Sequence, residues 1–160
     1  TYVTRDGVPS VYFFSLDAQG ISSVLGARLF HHLPYYYARI SLDRTDGRVR
    51  FRSRRRHPGA RPAHYEGTYW PTDGPFPAPE DPFGEFLVER YRFYTEAQDG
   101  SMRYTDVEHD PWTLYMADAE IGTNTLLSAH GFARPEADPT YYYSPGLDVV
   151  ASRSKRAGRG

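Results

Sequence analysis

The chain has 160 residues, enough for one domain with a buried core, and 39% of them are hydrophobic. Its net charge of -1 argues against non-specific binding of nucleic acid, because such domains usually carry a clear basic excess. It contains no cysteine, which excludes disulfides, thiolate catalysis and cysteine–zinc sites. Since no apolar run reaches the length of a membrane span and no signal peptide opens the chain, we expect a cytoplasmic protein with no membrane partner.

The first half of the sequence predicts strands around one helix. Residues 8–17, VPSVYFFSLD, form a run of β-branched and aromatic residues that is typical of a buried strand. Asp17 is placed to cap a helix over 18–32, whose apolar residues recur near helical spacing. Three further strands are predicted over 35–43, 48–55 and 63–70, the first two joined by a hairpin at Asp46-Gly47.

The second half predicts two short helices and more hairpins. Asp81 and Pro82 are a helix cap and first helical position, so we expect a helix over 82–90 and another over 123–130. A hairpin is predicted around Asp99-Gly100, and residues 153–160 are expected to be a basic, disordered tail. The prediction is one α+β domain over 1–152, an antiparallel β-barrel or curled sheet with about three short helices.

An arginine-rich stretch at 48–56, RVRFRSRRR, raises the question of anion binding. In a strand, Arg48, Arg50, Arg52 and Arg54 share one face, whereas Val49, Phe51 and Ser53 share the other. We interpret Arg48, Arg55 and Arg56 as ordinary solvated charge, with Glu66 as a partner for Arg50 or Arg52. For Arg52 and Arg54, a solvated face and an anion pocket both remain open, because arginine binds carboxylates through two parallel hydrogen bonds.

Five motifs follow one another along the chain: GVPSVYFFSLDAQGISSVLGARLFHHLPYYYARISL, RFRSRRR, EFLVERYRFYT, HDPWTLYMADAEI and YYYSPGLDV. In this order they resemble the YqjF-like family of uncharacterised bacterial proteins. The resemblance implies the fold of acetoacetate decarboxylase. Members of the family usually carry several dozen further residues before the point where this sequence begins. We therefore expect a fragment or a shortened member with an open sheet edge, and from that edge either a homodimer or poor solubility.

The same resemblance locates a site, but this sequence lacks the reactive lysine at the matching position. Arg28 and Pro34 match the decarboxylase pattern, whereas Tyr35 and Tyr36 stand where the decarboxylases have two adjacent lysines, the first of which forms a Schiff base. A phenol cannot form an imine with a ketone, and the only lysine, Lys155, lies in the predicted tail. We therefore predict no lysine Schiff-base decarboxylation.

The remaining candidates suggest binding more than catalysis. We predict a small-molecule binding barrel without a cofactor or metal, since no histidine pair has metal-ligand spacing. Its ligand would be a small anionic or aromatic compound. The predicted ligand-binding residues are Tyr35, Tyr37, Arg52, Arg54, Glu89, Trp112 and Glu120. The alternatives are an enzyme other than a decarboxylase, using Glu, Arg and Tyr acid–base chemistry at Glu89 or Glu120, and anion or nucleic-acid binding by the arginine strand, although nucleic acid is the less expected partner.

Overall fold

The chain folds into two sheets and three helices, and the computed structural model describes residues 1–158 except the side chain of Ser23. The strands are β1 (Tyr2–Arg5), β2 (Val8–Tyr12), β3 (Leu16–Ala18), β4 (Tyr35–Thr45), β5 (Arg48–Arg55), β6 (His64–Pro71), β7 (Phe76–Pro77), β8 (Arg92–Glu96), β9 (Met102–Glu108), β10 (Thr113–Asn124), β11 (Tyr141–Tyr143), β12 (Val150–Ala151) and β13 (Lys155–Arg156). The helices are α1 (Ile21–Phe30), α2 (Pro82–Val88) and α3 (Leu126–Ala129). The predicted α+β class, with a curled sheet and three short helices, is confirmed.

Two of the strand pairs are parallel, in a fold predicted to be antiparallel. One sheet has the order β1-β2-β8-β9-β12, with β13 also pairing with β9, and the other has the order β11-β10-β6-β5-β4-β3, with β7 beside β10. The pairs β2–β8 and β3–β4 are parallel. The chain passes from β3 through α1 to β4, and such a crossover returns the chain in the same direction.

The predicted strand over 8–17 is divided between the two sheets. Its first part is β2, which pairs with β1 and β8, and its last part lies in β3, which pairs with β4. The chain leaves the strand conformation at residues 13–15. This break carries the side chains of Phe13, Phe14 and Ser15 across the space between the sheets, where they later contribute to a cavity.

The hairpin register of β4, β5 and β6 separates an inner from an outer sheet face. Ala38 faces Arg55 and Ile40 faces Ser53 across β4 and β5, whereas Arg39 faces Arg54 on the opposite side. Val49 and Ser53 are buried, and Arg48, Arg50 and Arg54 are exposed. The period of two that the sequence predicts for β5 is therefore confirmed, and by that period Arg55 belongs to the inner face.

The basic tail is more ordered than predicted. Lys155 and Arg156 form β13 beside β9, and Lys155 Nζ lies 3.0 Å from an Asp106 carboxylate oxygen. Backbone pairing with β9 and this ion pair hold the two residues in the structure, within the segment predicted to be disordered. The last two residues of the predicted tail, 159–160, lie outside the described part.

The cap of α2 is as predicted. The Asp81 carboxylate accepts hydrogen bonds from the N–H groups of Phe83 and Gly84, and Pro82 is the first helical residue. Gly84 lets the helix approach β10 closely, because a Cβ there would lie 2.8 Å from a methyl group of Leu114. Across residues 1–158, none of the helices has the length and apolar character needed to cross a membrane.

Candidate functional site

A basic cavity of about 570 Å³ lies beside the C-terminal end of β5, on the inner face of the sheet. Its walls come from α1, the start of β4, the end of β5, the loop over 57–61 and the end of α3. We call this space the basic cavity. The polar side chains that line it are Arg28, Tyr36, Arg55, His57, Arg61 and His130. The lining includes three arginines and no carboxylate.

Arg55 is the buried centre of this cavity. Its side chain is only 2% exposed. Its Nε donates to Asp17 Oδ1 at 2.8 Å, and its Nη2 donates to Ser15 Oγ at 3.1 Å. Its Nη1 lies 3.3 Å from Nε2 of His130. Because a guanidinium carries five N–H groups, these three contacts leave two of them without a hydrogen-bond partner among the described residues.

Asp17 neutralises Arg55 instead of capping a helix. The sequence predicted Asp17 as the cap of α1, but the N-cap is Gly20, without a side-chain hydrogen bond. The Asp17 carboxylate also accepts a 3.3 Å hydrogen bond from Ser53 Oγ, and its side chain is only 10% exposed. The prediction was wrong because a buried guanidinium needs a carboxylate partner far more than an exposed helix end needs a cap.

Each of the two histidines accepts a hydrogen bond at one ring nitrogen, which leaves the other nitrogen as the donor of the neutral ring. The backbone N–H of Tyr37 donates to Nδ1 of His57 at 3.2 Å, which leaves the proton of the neutral ring on Nε2. Arginine can only donate, so Nε2 of His130 accepts from Arg55 and its proton is on Nδ1. Burial, and then the Arg55 charge, lowers the pKa of His130 below its ordinary 6.5, which favours the neutral ring. The basic cavity thus presents N–H donors from five of its six polar side chains.

Tyr36 is the aromatic wall of the basic cavity. The guanidinium carbon of Arg55 lies 4.2 Å from the centre of its ring, and that of Arg28 lies 5.8 Å away. The His57 ring meets it edge-on at 5.4 Å. Arg28 is held in place by a 2.7 Å hydrogen bond to the carbonyl oxygen of Tyr35.

Tyr35 and Tyr37, two of the predicted ligand-binding residues, lie on the opposite face of β4 from Tyr36, because adjacent strand residues alternate. Neither lines the basic cavity. They contribute through their backbones, the carbonyl of Tyr35 to Arg28 and the N–H of Tyr37 to His57. The resemblance therefore identified Tyr36 as one of the pair in place of the two lysines, although the predicted ligand-binding residues were its neighbours Tyr35 and Tyr37.

Arg52 and Arg54, two of the predicted ligand-binding residues, lie on the outer face of β5 and do not line the basic cavity. Arg54 is exposed. Arg52, whose side chain is 43% exposed, lies 3.5 Å from Asp43 and 3.8 Å from Glu66. Glu66 also accepts a 2.5 Å hydrogen bond from Arg50, as predicted for one of these two arginines. The physical reason is that side chains alternate along a strand. Because Val49 faces the core, Arg55 also faces inward, whereas Arg52 and Arg54 face outward.

Glu120 also lies on the outer face, with its side chain 70% exposed. Arg48 lies 3.6 Å from its carboxylate and stacks on the Trp70 ring at 3.7 Å. Arg48, Arg50 and Arg52 therefore have acidic or aromatic neighbours in the sheet, whereas Arg54 lies between Arg39 and His64. This pairing weakens the alternative of a nucleic-acid surface.

Glu89 and Trp112 lie together, but away from the basic cavity. One carboxylate oxygen of Glu89 accepts from the Trp112 backbone N–H at 2.9 Å, and the other accepts from the Tyr91 hydroxyl at 2.5 Å. That hydrogen bond raises the pKa of Tyr91 to about 12. Glu120 is eight residues along an extended strand from Trp112, roughly 26 Å away. The two candidate acid–base carboxylates therefore do not converge.

Sequence reasoning missed Asp17, Arg55, His57, Arg61 and His130 as members of one site. For Arg55 the signal was present, because it has the strand parity of Val49, Phe51 and Ser53 and must share their buried face. For His130 there was no comparable signal, since α3 reaches β5 only through the tertiary fold.

Comparisons with known proteins agree on family and fold. The DUF2071 family, described as "Uncharacterized conserved protein", matches residues 1–148. The chain is 42% identical over 150 residues to "Uncharacterized protein YqjF" of Bacillus subtilis. The aligned region covers 94% of this chain and 61% of that protein. The crystal structure of acetoacetate decarboxylase from Legionella pneumophila superposes with a TM-score of 0.66 at 12% identity, over 98% of this chain and 64% of that one. The chain thus spans less than two thirds of either protein, and the second likeness is one of fold.

Proposed function

We propose that this chain, which belongs to the DUF2071 family, binds a small organic carboxylate in the basic cavity. The observation that carries the proposal is Arg55, a guanidinium almost wholly buried in a cavity whose lining contains no acid. Burying a charge is costly unless partners satisfy it, and Asp17 satisfies only part of its hydrogen-bonding capacity. A ligand carboxylate would take the remaining donors.

The charge balance of the cavity supports an anion as the ligand. Arg28, Arg55 and Arg61 bring three positive charges, and Asp17, behind Arg55, brings one negative charge. Three less one leaves two positive charges in excess. A planar carboxylate matches the fork of a guanidinium, and the Tyr36 ring offers an apolar wall beside it. The reactive lysine of a Schiff-base decarboxylase has no counterpart here, so the proposal is one of binding.

Titration calorimetry with acetate, acetoacetate and benzoate tests the proposal. Arg28→Gln removes one charge-assisted hydrogen bond of about 1.5–3 kcal/mol, so we expect carboxylate affinity to fall roughly tenfold to a hundredfold. Arg54→Gln is the matched control, because it removes the same charge from the outer face and should leave the affinity unchanged. The proposal fails if no carboxylate binds, or if the control variant loses as much affinity as Arg28→Gln.

A further inference from the structure

We infer that the carboxylate ligand is amphipathic, with a hydrocarbon tail that lies in a second cavity beside the first. This inference rests on the proposed function, because it takes the basic cavity as the site of the head group. It adds the chemical class of the rest of the ligand. Three features carry it: the lining of the second cavity, the side chain that both cavities share, and the state of the polar groups between them.

The second cavity, of about 390 Å³, has mainly apolar walls and is called here the apolar cavity. It lies where the break between β2 and β3 faces the inner side of β5, β6 and α3. Its apolar lining includes Phe13, Phe14, Leu16, Phe51, Leu127 and Phe132. Phe14 and Phe132 pack against each other at 4.9 Å, yet both are more than 40% exposed. Apolar side chains grouped at a concave surface are typical of a place that binds hydrocarbon.

The two cavities meet at His130, which lines both of them. Arg55 lines the basic cavity, and its partners Ser15 and Asp17 line the apolar one. The boundary is therefore only one layer of side chains thick. A carboxylate held by Arg55 has its first carbons beside the His130 ring, and a flexible chain continues past that ring into the apolar cavity.

The polar groups at the base of the apolar cavity are already bonded to one another. Ser53 Oγ donates to Asp17, Asp17 accepts from Arg55, and Ser15 Oγ accepts from Arg55. A polar tail would gain few new hydrogen bonds from them and would lose its own to water. A hydrocarbon tail loses nothing and is transferred from water to an apolar wall. The base of the apolar cavity thus favours a hydrocarbon chain over a polar one.

Titration of the purified chain with acetate, butyrate, hexanoate and octanoate tests the inference. We expect the affinity to rise with length, by roughly threefold to fourfold for each methylene that is fully buried. Leu127→Gln places an amide in the apolar cavity, so it should weaken octanoate and leave acetate unchanged. Leu25→Gln is the matched control, because Leu25 is exposed on α1 and lines neither cavity.

The outcomes separate this inference from the function on which it rests. If acetate binds with dependence on Arg28 but affinity does not rise from acetate to octanoate, the tail is elsewhere and only the inference is overturned. The same holds if Leu127→Gln and Leu25→Gln weaken octanoate equally. If no member of the series binds, the proposed function and the inference fall together.

Discussion

Asp17 and Arg55 are the residue pair on which the site depends most. Asp17→Asn leaves the Arg55 charge buried without a carboxylate, and breaking such a pair typically costs about 3–5 kcal/mol. We expect that loss in the free energy of unfolding by urea. Asp43→Asn, which removes an acid from the exposed pair with Arg52, should cost about 0–1 kcal/mol. Equal losses in the two variants would show that burial does not set the value of the pair.

His130 predicts a pH dependence of stability. Its pKa is lowered in the folded state by burial, then by Arg55 and Arg61, with Asp17 opposing them. The unfolded chain therefore takes up the proton more readily, so the free energy of unfolding falls as the pH drops from neutrality through 6.5 toward the lower folded pKa. His130→Gln keeps an acceptor for Arg55 and removes the titration. Urea unfolding at a series of pH values should give a shallower decline for this variant, and matching declines would refute the assignment.

The replacement of the lysine pair predicts the absence of an imine. Residues 1–154 contain no lysine, and Lys155 pairs with Asp106 beside β9, outside the basic cavity. Borohydride reduction in the presence of acetoacetate should leave no adduct on Lys155, and intact-mass and peptide mass spectrometry measure it. An adduct at Lys155 that requires acetoacetate and is lost in Arg28→Gln would place this lysine at the site after all.

At the scale of elements, the sequence predicted the hairpins well, because turn chemistry and a period of two are local signals. Asp46-Gly47 joins β4 to β5, and Asp81 caps α2, both as expected. The break at residues 13–15 was not predicted, since an unbroken run of aromatic residues looks like one strand whether one sheet or two receive it. Arg55 was interpreted as solvated charge because it is one of six arginines in a short stretch. Its position in the strand, two residues after Ser53, places it on the buried face instead.

Gly67 lies close to side chains of β6 and β10. A Cβ there would lie 2.8 Å from the Tyr65 hydroxyl oxygen and 2.9 Å from a methyl group of Ile121. Because both atoms end side chains that are half-buried and can shift, we expect Gly67→Ala to lower the free energy of unfolding by about 1 kcal/mol, the low end of what overpacking costs. Gly122, on the neighbouring strand, is the control, because a Cβ there meets only the Glu66 carbonyl oxygen at 3.7 Å. Chemical denaturation measures both, and equal stability of the two variants would contradict the packing argument.

At the scale of the whole molecule, the resemblance and the local patterns together predicted the fold class, while the site followed from contacts between distant parts of the chain. The basic cavity joins residues from α1, β4, β5 and α3, which are separated by up to about a hundred positions. Local sequence patterns carry no record of such contacts. The buried charge of Arg55 is what joins them, and its partners Asp17, His130 and Ser15 are known only from the three-dimensional structure.

The most direct test is a crystal structure of the chain with 4-bromobenzoate, whose bromine is located by anomalous scattering. The account predicts the carboxylate within hydrogen-bonding distance of Arg55 and Arg28, with the ring beside Tyr36. Binding through Arg52 or Arg54 on the outer face of β5, with the basic cavity left to solvent at saturating ligand, would contradict it.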